Sequence, residues 1–278
     1  MIQPVSKNGK LLETNSCLSC SPSVLVSENT LRFIQRPSFT TTSAHQYGFT
    51  PGRSAPEAII QLKDWIATAR SQKKHSAIIS LDVKSAFSRV WWPLVLHNLK
   101  RTACPRNLFN LAASFLDGRF ISFKYGDTVF TRDYSIGCPQ GSNSGPLYWL
   151  LVVNDALEMD FGQEVRILAY ADDIYLFVAA TGKQNIKKYA ETALGKLQDW
   201  SVSAKVQFAH EKTQLIPFGK NGRHKHPPYC SFNGKAIKLA RQLKILGVVL
   251  DDYLNGNPHL QWRKNAKDLK QTHHCKNL

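Results

Sequence analysis

Two adjacent aspartates, Asp172 and Asp173, interrupt the apolar, strand-forming run from Ile167 to Val178, and no other feature restricts the fold of this chain so tightly. Ionised carboxylates are rarely buried in such a run unless they are paired or hold a cation. The apolar stretches on either side predict two strands, with Ala171-Asp172-Asp173 as the tight turn between them. Two acids at a hairpin tip suit a hard divalent metal, which takes oxygen ligands. An ordinary Asp-Asp turn would read the same way locally, because aspartate is a common turn residue.

Composition narrows the classes. With 43% hydrophobic and 20% charged residues over 278 positions, the chain is globular and long enough for one large domain or two small ones. Lysine and arginine number 36 against 20 aspartates and glutamates, a net charge of +16 that favours an anionic partner, nucleic acid above all. Of the six cysteines only Cys17 and Cys20 have a metal-like spacing, and no second pair completes a zinc site, so free thiols in a reducing compartment are expected. No apolar stretch is long enough to span a membrane, and Met1 to Lys10 lacks the apolar core of a signal peptide.

Along the chain, residues 13–44 are rich in Ser, Thr and Asn and carry no sustained period. A helix is predicted from Ala58 with Ile59, Leu62, Ile66 and Ala69 on one face, then a buried strand over Ser76 to Val83. Helices follow around Trp92–Leu99 and Leu108–Phe115, with Trp91-Trp92 read as core, then a hairpin over Arg119 to Tyr134 turning at Tyr125–Thr128. A Gly/Pro/Ser-rich loop from Gly137 to Pro146 opens a buried helix, and a further helix covers Lys183 to Ser203. Thr213 to Phe218 and Leu243 to Leu250 are predicted strands, and Asn233-Gly234 a two-residue hairpin turn. The mixture predicts an α+β fold, helices packed on a largely antiparallel sheet.

Asp82, at the end of the first strand, adds a third carboxylate. Nucleotidyl transfer uses two divalent ions about 3.5–4 Å apart, and acids from neighbouring strands of one sheet can hold such a pair. The loop Cys138-Pro139-Gln140-Gly141-Ser142-Asn143-Ser144-Gly145-Pro146 offers backbone N–H groups and a Gln side chain with little bulk, suited to a base pair or a phosphate.

The chain resembles the reverse transcriptase domain of non-LTR (LINE-type) retrotransposons, particularly the arthropod elements. His45-Gln46-Tyr47-Gly48-Phe49-Thr50-Pro51-Gly52-Arg53-Ser54 resembles the family's fingers block. Leu81-Asp82-Val83-Lys84-Ser85-Ala86-Phe87 with Val90-Trp91-Trp92-Pro93 resembles its first catalytic block. The Pro-Gln-Gly loop, Tyr-Ala-Asp-Asp, Glu211-Lys212-Thr213 and Leu246-Gly247-Val248-Val249-Leu250 follow in the family's order. The resemblance covers residues 45–250 as fingers and palm, with 1–44 as a poorly matching segment and 251–278 as the start of a thumb.

The resemblance implies a right-hand RNA-directed DNA polymerase that takes an RNA template, a DNA primer and dNTPs, with two Mg²⁺ ions that Mn²⁺ can replace. Asp82 and Asp172 would be the principal metal ligands, Asp173 their support, and the Val83 carbonyl part of one shell. Phe87 would exclude a ribose 2′-hydroxyl, or else is a core aromatic. Gln140 and Gly141 would line the nascent base pair. Lys212 is a candidate for protonating the leaving pyrophosphate, or else a solvated lysine; Arg53 would lie near template or nucleotide, or else is a surface turn residue. No membrane partner is expected, and neither a compartment nor an oligomeric state is assigned.

Three departures qualify the resemblance. The Arg-Pro-Ile element expected before Gly9-Lys10-Leu11-Leu12-Glu13 is absent, and Ser88 stands where the family usually carries Asp. The match to the thumb ends soon after Asp252, and neither an endonuclease nor a zinc knuckle is seen. A truncated or degenerate copy is therefore one expectation, and a catalytically inactive, basic RNA-binding remnant the alternative function. Group II intron-like and viral RNA-dependent polymerases fit less well: the Trp-Trp pair favours the retrotransposon branch, and viral enzymes usually carry Gly-Asp-Asp.

Overall fold

The computed structural model describes residues 42–138, 144–220, 222–223 and 226–256. Gln140, Gly141, most of the 1–44 segment and most of the predicted thumb start lie outside them. The chain divides into two units: residues 91–137 form one, and 42–90 together with 138–256 form the other.

The larger unit holds an α+β sheet. Helix α1 (Ala55–Ser71) starts at a capping box, where Ser54 accepts from the Glu57 N–H and Glu57 Oε2 accepts from the Ser54 N–H at 2.6 Å. Its buried face is Ala58, Leu62, Trp65, Ile66 and Ala69. Trp65 joins the predicted stripe, while Ile59 stays half-exposed beside it. Strand β1 (His75–Asp82) is followed by a 3₁₀ turn, Ala86–Arg89.

The smaller unit carries helices α2 (Trp92–Arg101) and α3 (Arg106–Leu116) and the hairpin β2 (Phe120–Tyr125) and β3 (Thr128–Asp133), turning where expected. Trp92 is buried; its Nε1 donates to the Gly137 carbonyl at 2.7 Å, and its ring meets Tyr134 edge-on.

In the larger unit there follow α4 (Gly145–Leu157), β4 (Val165–Tyr170), β5 (Asp173–Ala180) and α5 (Lys183–Ser203). After β6 (Gln214–Gly219) come the short strands β7 (Gly222–Arg223), β8 (Ser231–Phe232), β9 (Lys235–Ala236) and β10 (Lys238–Leu239). The last two are β11 (Gln242–Ile245) and β12 (Val248–Asp251). The main sheet runs β10-β6-β1-β5-β4, antiparallel except where β10 joins β6.

One face of that sheet presents Ile78, Leu168, Tyr175, Phe177, Ile216 and Phe218, packed with the α1 stripe and with Leu243, Ile245 and Leu250. Strand alternation turns Ile79, Leu81, Ile174, Leu176 and Val178 to the other face, on which α4 and α5 pack. The single strand expected over Leu243–Leu250 is instead a hairpin. Leu246 and Gly247 both take positive φ, +48° and +82°, which reverses the chain in two residues. The apolar run concealed that turn, because only Gly247 signalled it. Asn233 and Gly234 form the expected turn with positive φ at both positions.

Candidate active site

The antiparallel register of β1 and β5 sets Asp82 directly opposite Asp173. Side chains directly opposed across two strands share a face, so both carboxylates stand on the face that also carries Tyr175. Asp172 precedes Asp173 in the turn closed by the Tyr170–Asp173 pair. The turn is therefore Ala171-Asp172, and Asp173 is already the first residue of β5, one position further into the strand than the sequence predicted.

Charge records this convergence. Asp173 is held above the ordinary carboxylate range first by burial, then by the like charges of Asp172 and Asp82. The Tyr175 hydroxyl, 2% exposed as a residue, donates to Asp173 and opposes that shift. Tyr175 itself is pushed above its usual range by burial and by Asp173, while the Leu246 N–H donates to its oxygen. The β11–β12 turn thus reaches the second aspartate through one phenol.

Of the other predicted residues, Lys212 and Val83 adjoin Asp82, Phe87 packs among aromatic rings, and Gln140 and Gly141 lie outside the described residues. Lys212 Nζ donates to Asp82 Oδ2 at 3.1 Å from the loop before β6, with its side chain 67% exposed. Lys84 pairs with Glu211 next to it. Val83 pairs with Phe208 in an isolated antiparallel bridge, flanked by bonds from Ala209 N–H to the Asp82 carbonyl and from Lys84 N–H to the Gln207 carbonyl. Neighbouring residues of a strand alternate the side to which their carbonyls point, so the Val83 carbonyl is directed to the opposite edge, the side of β5. Phe87 lies half-buried between Phe49, edge-on at 6.2 Å between centroids, and Trp149 at 6.3 Å.

Among the described residues, no group of three or more His, Cys, Asp or Glu is arranged to hold a metal ion as it stands. Asp82 is turned onto the Lys212 ammonium. The donor chemistry still fits a hard divalent cation: the candidates are oxygen donors, and a cation relieves the burial and like-charge repulsion that raise Asp173.

Three participants carried no local signal in the sequence. Gln46 is buried and bonds Ala171 with both ends of its amide. Trp149 on α4 donates from Nε1 to the Ala171 carbonyl at 3.0 Å. Tyr175 joins Asp173 to Leu246. A glutamine in a loop, a tryptophan in an apolar helix and a tyrosine in a strand acquire these roles only through tertiary contact. Arg53, read as a surface residue or a template contact, bonds back to the Ala44 and Gln46 carbonyls and lies over the Tyr47 ring.

Residues 26–250 match the family described as "Reverse transcriptase (RNA-dependent DNA polymerase)", a match that begins upstream of His45. The chain is 28% identical over 221 residues to a Retrovirus-related Pol polyprotein of a type-1 retrotransposable element from Bradysia coprophila, covering 78% of this chain and 21% of that one. It is 29% identical over 243 residues to the RNA-directed DNA polymerase from mobile element jockey of Drosophila funebris, covering 85% and 25%. The chain thus spans about a quarter or less of the length of these relatives. Among solved structures, telomerase from Candida tropicalis superimposes with a TM-score of 0.58 at 10% identity, over 82% of this chain and 44% of that one. That likeness concerns the fold, which is that of right-hand polymerases.

Proposed function

Because the chain belongs to the reverse transcriptase (RNA-dependent DNA polymerase) family, of the kind found in arthropod non-LTR retrotransposons, we propose that residues 45–250 extend a DNA primer on an RNA template by metal-assisted nucleotidyl transfer from dNTPs. The observation that carries this reading is the cross-strand opposition of Asp82 and Asp173, with Asp172 in the adjoining turn. Asp82, Asp172 and the Val83 carbonyl would hold Mg²⁺, with Asp173 in support. When bound, a pair of such ions lowers the pKa of the primer 3′-hydroxyl and neutralises the leaving pyrophosphate.

The chain's own residues do the rest. Lys212, whose Nζ lies 3.1 Å from Asp82 Oδ2, would keep its ammonium beside the site to hold or give a proton to the departing phosphate. Phe87, braced by Phe49 and Trp149, presents a flat, rigid ring that resists a sugar 2′-hydroxyl by contact. Gln140 and Gly141 would border the nascent base pair. The net charge of +16 supplies non-specific attraction for the phosphate backbone of template and primer. Among the described residues no helix is long and apolar enough to cross a membrane.

Primer extension on poly(rA)/oligo(dT) with Mg²⁺ or Mn²⁺ tests this reading. Extension is expected to disappear with a chelator and with Asp172→Asn, and to return when the metal is restored. A chain that binds primed RNA equally well with Asp172→Asn and without metal, and never extends it, is instead a basic RNA-binding remnant.

A further inference from the structure

The Asp172 turn is gripped by a side chain 125 positions away in sequence. Gln46 is 1% exposed. Its Oε1 accepts from the Ala171 N–H at 3.0 Å and from the Gly48 N–H at 2.8 Å, and its Nε2 donates to the Ala171 carbonyl at 3.3 Å. Trp149 Nε1 donates to that same carbonyl. Ala171 is itself buried, so its polar backbone groups need partners, and both find them on side chains.

Ala171 also adopts φ +58°. A residue other than glycine holds such a conformation only where its surroundings enforce it. A primary amide is well suited to enforce it, because one planar group offers a donor and an acceptor and mates with both the N–H and the C=O of a peptide unit. The mount is firm. Tyr47 N–H donates to the Ala169 carbonyl and Ala169 N–H to the His45 carbonyl, both at 2.8 Å, and Arg53 ties the Gln46 carbonyl to the loop.

We propose that Gln46 is the positioning residue of the Ala171-Asp172 turn. Its amide clamps Ala171 in the left-handed region and so holds Asp172 and Asp173 at the strand end opposite Asp82. The clamp itself is independent of any reaction; what it positions the carboxylates for rests on the polymerase reading above.

The full chain carrying Gln46→Met or Gln46→Glu tests the proposal through backbone amide exchange and Mn²⁺ titration followed by electron paramagnetic resonance. Methionine keeps the length and apolar stem and loses every hydrogen bond; glutamate keeps the acceptor and loses the donor. With Gln46→Met, exchange at Ala171 is expected to quicken about tenfold, the scale of a lost buried hydrogen bond, while Ile79 and Leu176 in the sheet core keep native rates. Gln46→Glu falls between. Half-saturation by Mn²⁺ rises with Gln46→Met while affinity for primed template is unchanged. Native exchange at Ala171 in Gln46→Met, or equal acceleration throughout the sheet, overturns the proposal. A native chain that binds no Mn²⁺ and extends no primer overturns the polymerase reading instead, and the exchange comparison still decides the clamp.

Discussion

Gly48→Ala is the sharpest perturbation of the carboxylate turn that leaves every titratable and hydrogen-bonding side chain in place. A Cβ at Gly48 would stand 2.2 Å from the Ala171 nitrogen and 2.9 Å from both the Ala171 Cα and the Tyr170 carbonyl carbon. All three are backbone atoms, so no flexible side chain can swing aside. Ordinary contact begins near 3.4 Å, so the two segments must part by about 1.2 Å. Overpacking of that kind costs about 1–3 kcal/mol. The same movement stretches the Gln46–Ala171 bonds, each contributing about 0.5–1.5 kcal/mol. The combined expectation is a loss of about 2–4 kcal/mol, read as a lower urea midpoint at unchanged slope. A displacement of about 1 Å in the carboxylates would reduce primer extension roughly 10²-fold. Gly48→Ser should behave alike, because the shared Cβ is the cause. A Gly48→Ala chain with native midpoint and native exchange at Ala171 would refute the reasoning.

Further expectations follow from the electrostatics and burial. Asp173 binds its proton more tightly folded than unfolded, so its ionisation costs the metal-free fold stability as pH rises past the ordinary carboxylate range. Asp173→Asn should therefore raise the metal-free Tm at neutral pH and leave it nearly unchanged near about pH 3, where the native carboxyl is already protonated; a lowered Tm at neutral pH would contradict this. For the same reason Mn²⁺ affinity of the native chain should fall on acidification before the ordinary carboxylate range is reached, as titration across pH would show. Tyr175→Phe strips Asp173 of a donor and leaves the Leu246 N–H unmated, at a cost of about 1–3 kcal/mol, with amide exchange at Leu246 accelerated before that of β5. Cys138 and Cys230 are buried and their thiols pushed up to about 12, so iodoacetamide should label both only after unfolding.

The sequence by itself determined the local elements and the chemical inventory. Period-two runs with Gly-Asp and Asn-Gly between them specified the Phe120–Asp133 hairpin and the Asn233-Gly234 turn, because those turns depend on the residues within them. The 3.6-residue stripe did the same for α1, whose start at the Ser54 cap lies a turn before the predicted Ala58. The order of its motifs pointed to the family, and the paired aspartates to the chemistry. Only the tertiary structure decided the register that sets Asp82 against Asp173, since hydrophobic runs leave register open until a whole face is buried. It also decided that Leu243–Leu250 folds back on itself, that Lys212 meets Asp82 across 130 positions, and that Gln46 and Trp149 share the Ala171 carbonyl. The reason is common to all of these. A turn or a helix is specified by neighbours in sequence, whereas a buried amide or an opposed carboxylate is specified by whichever distant segment the packed sheet brings against it.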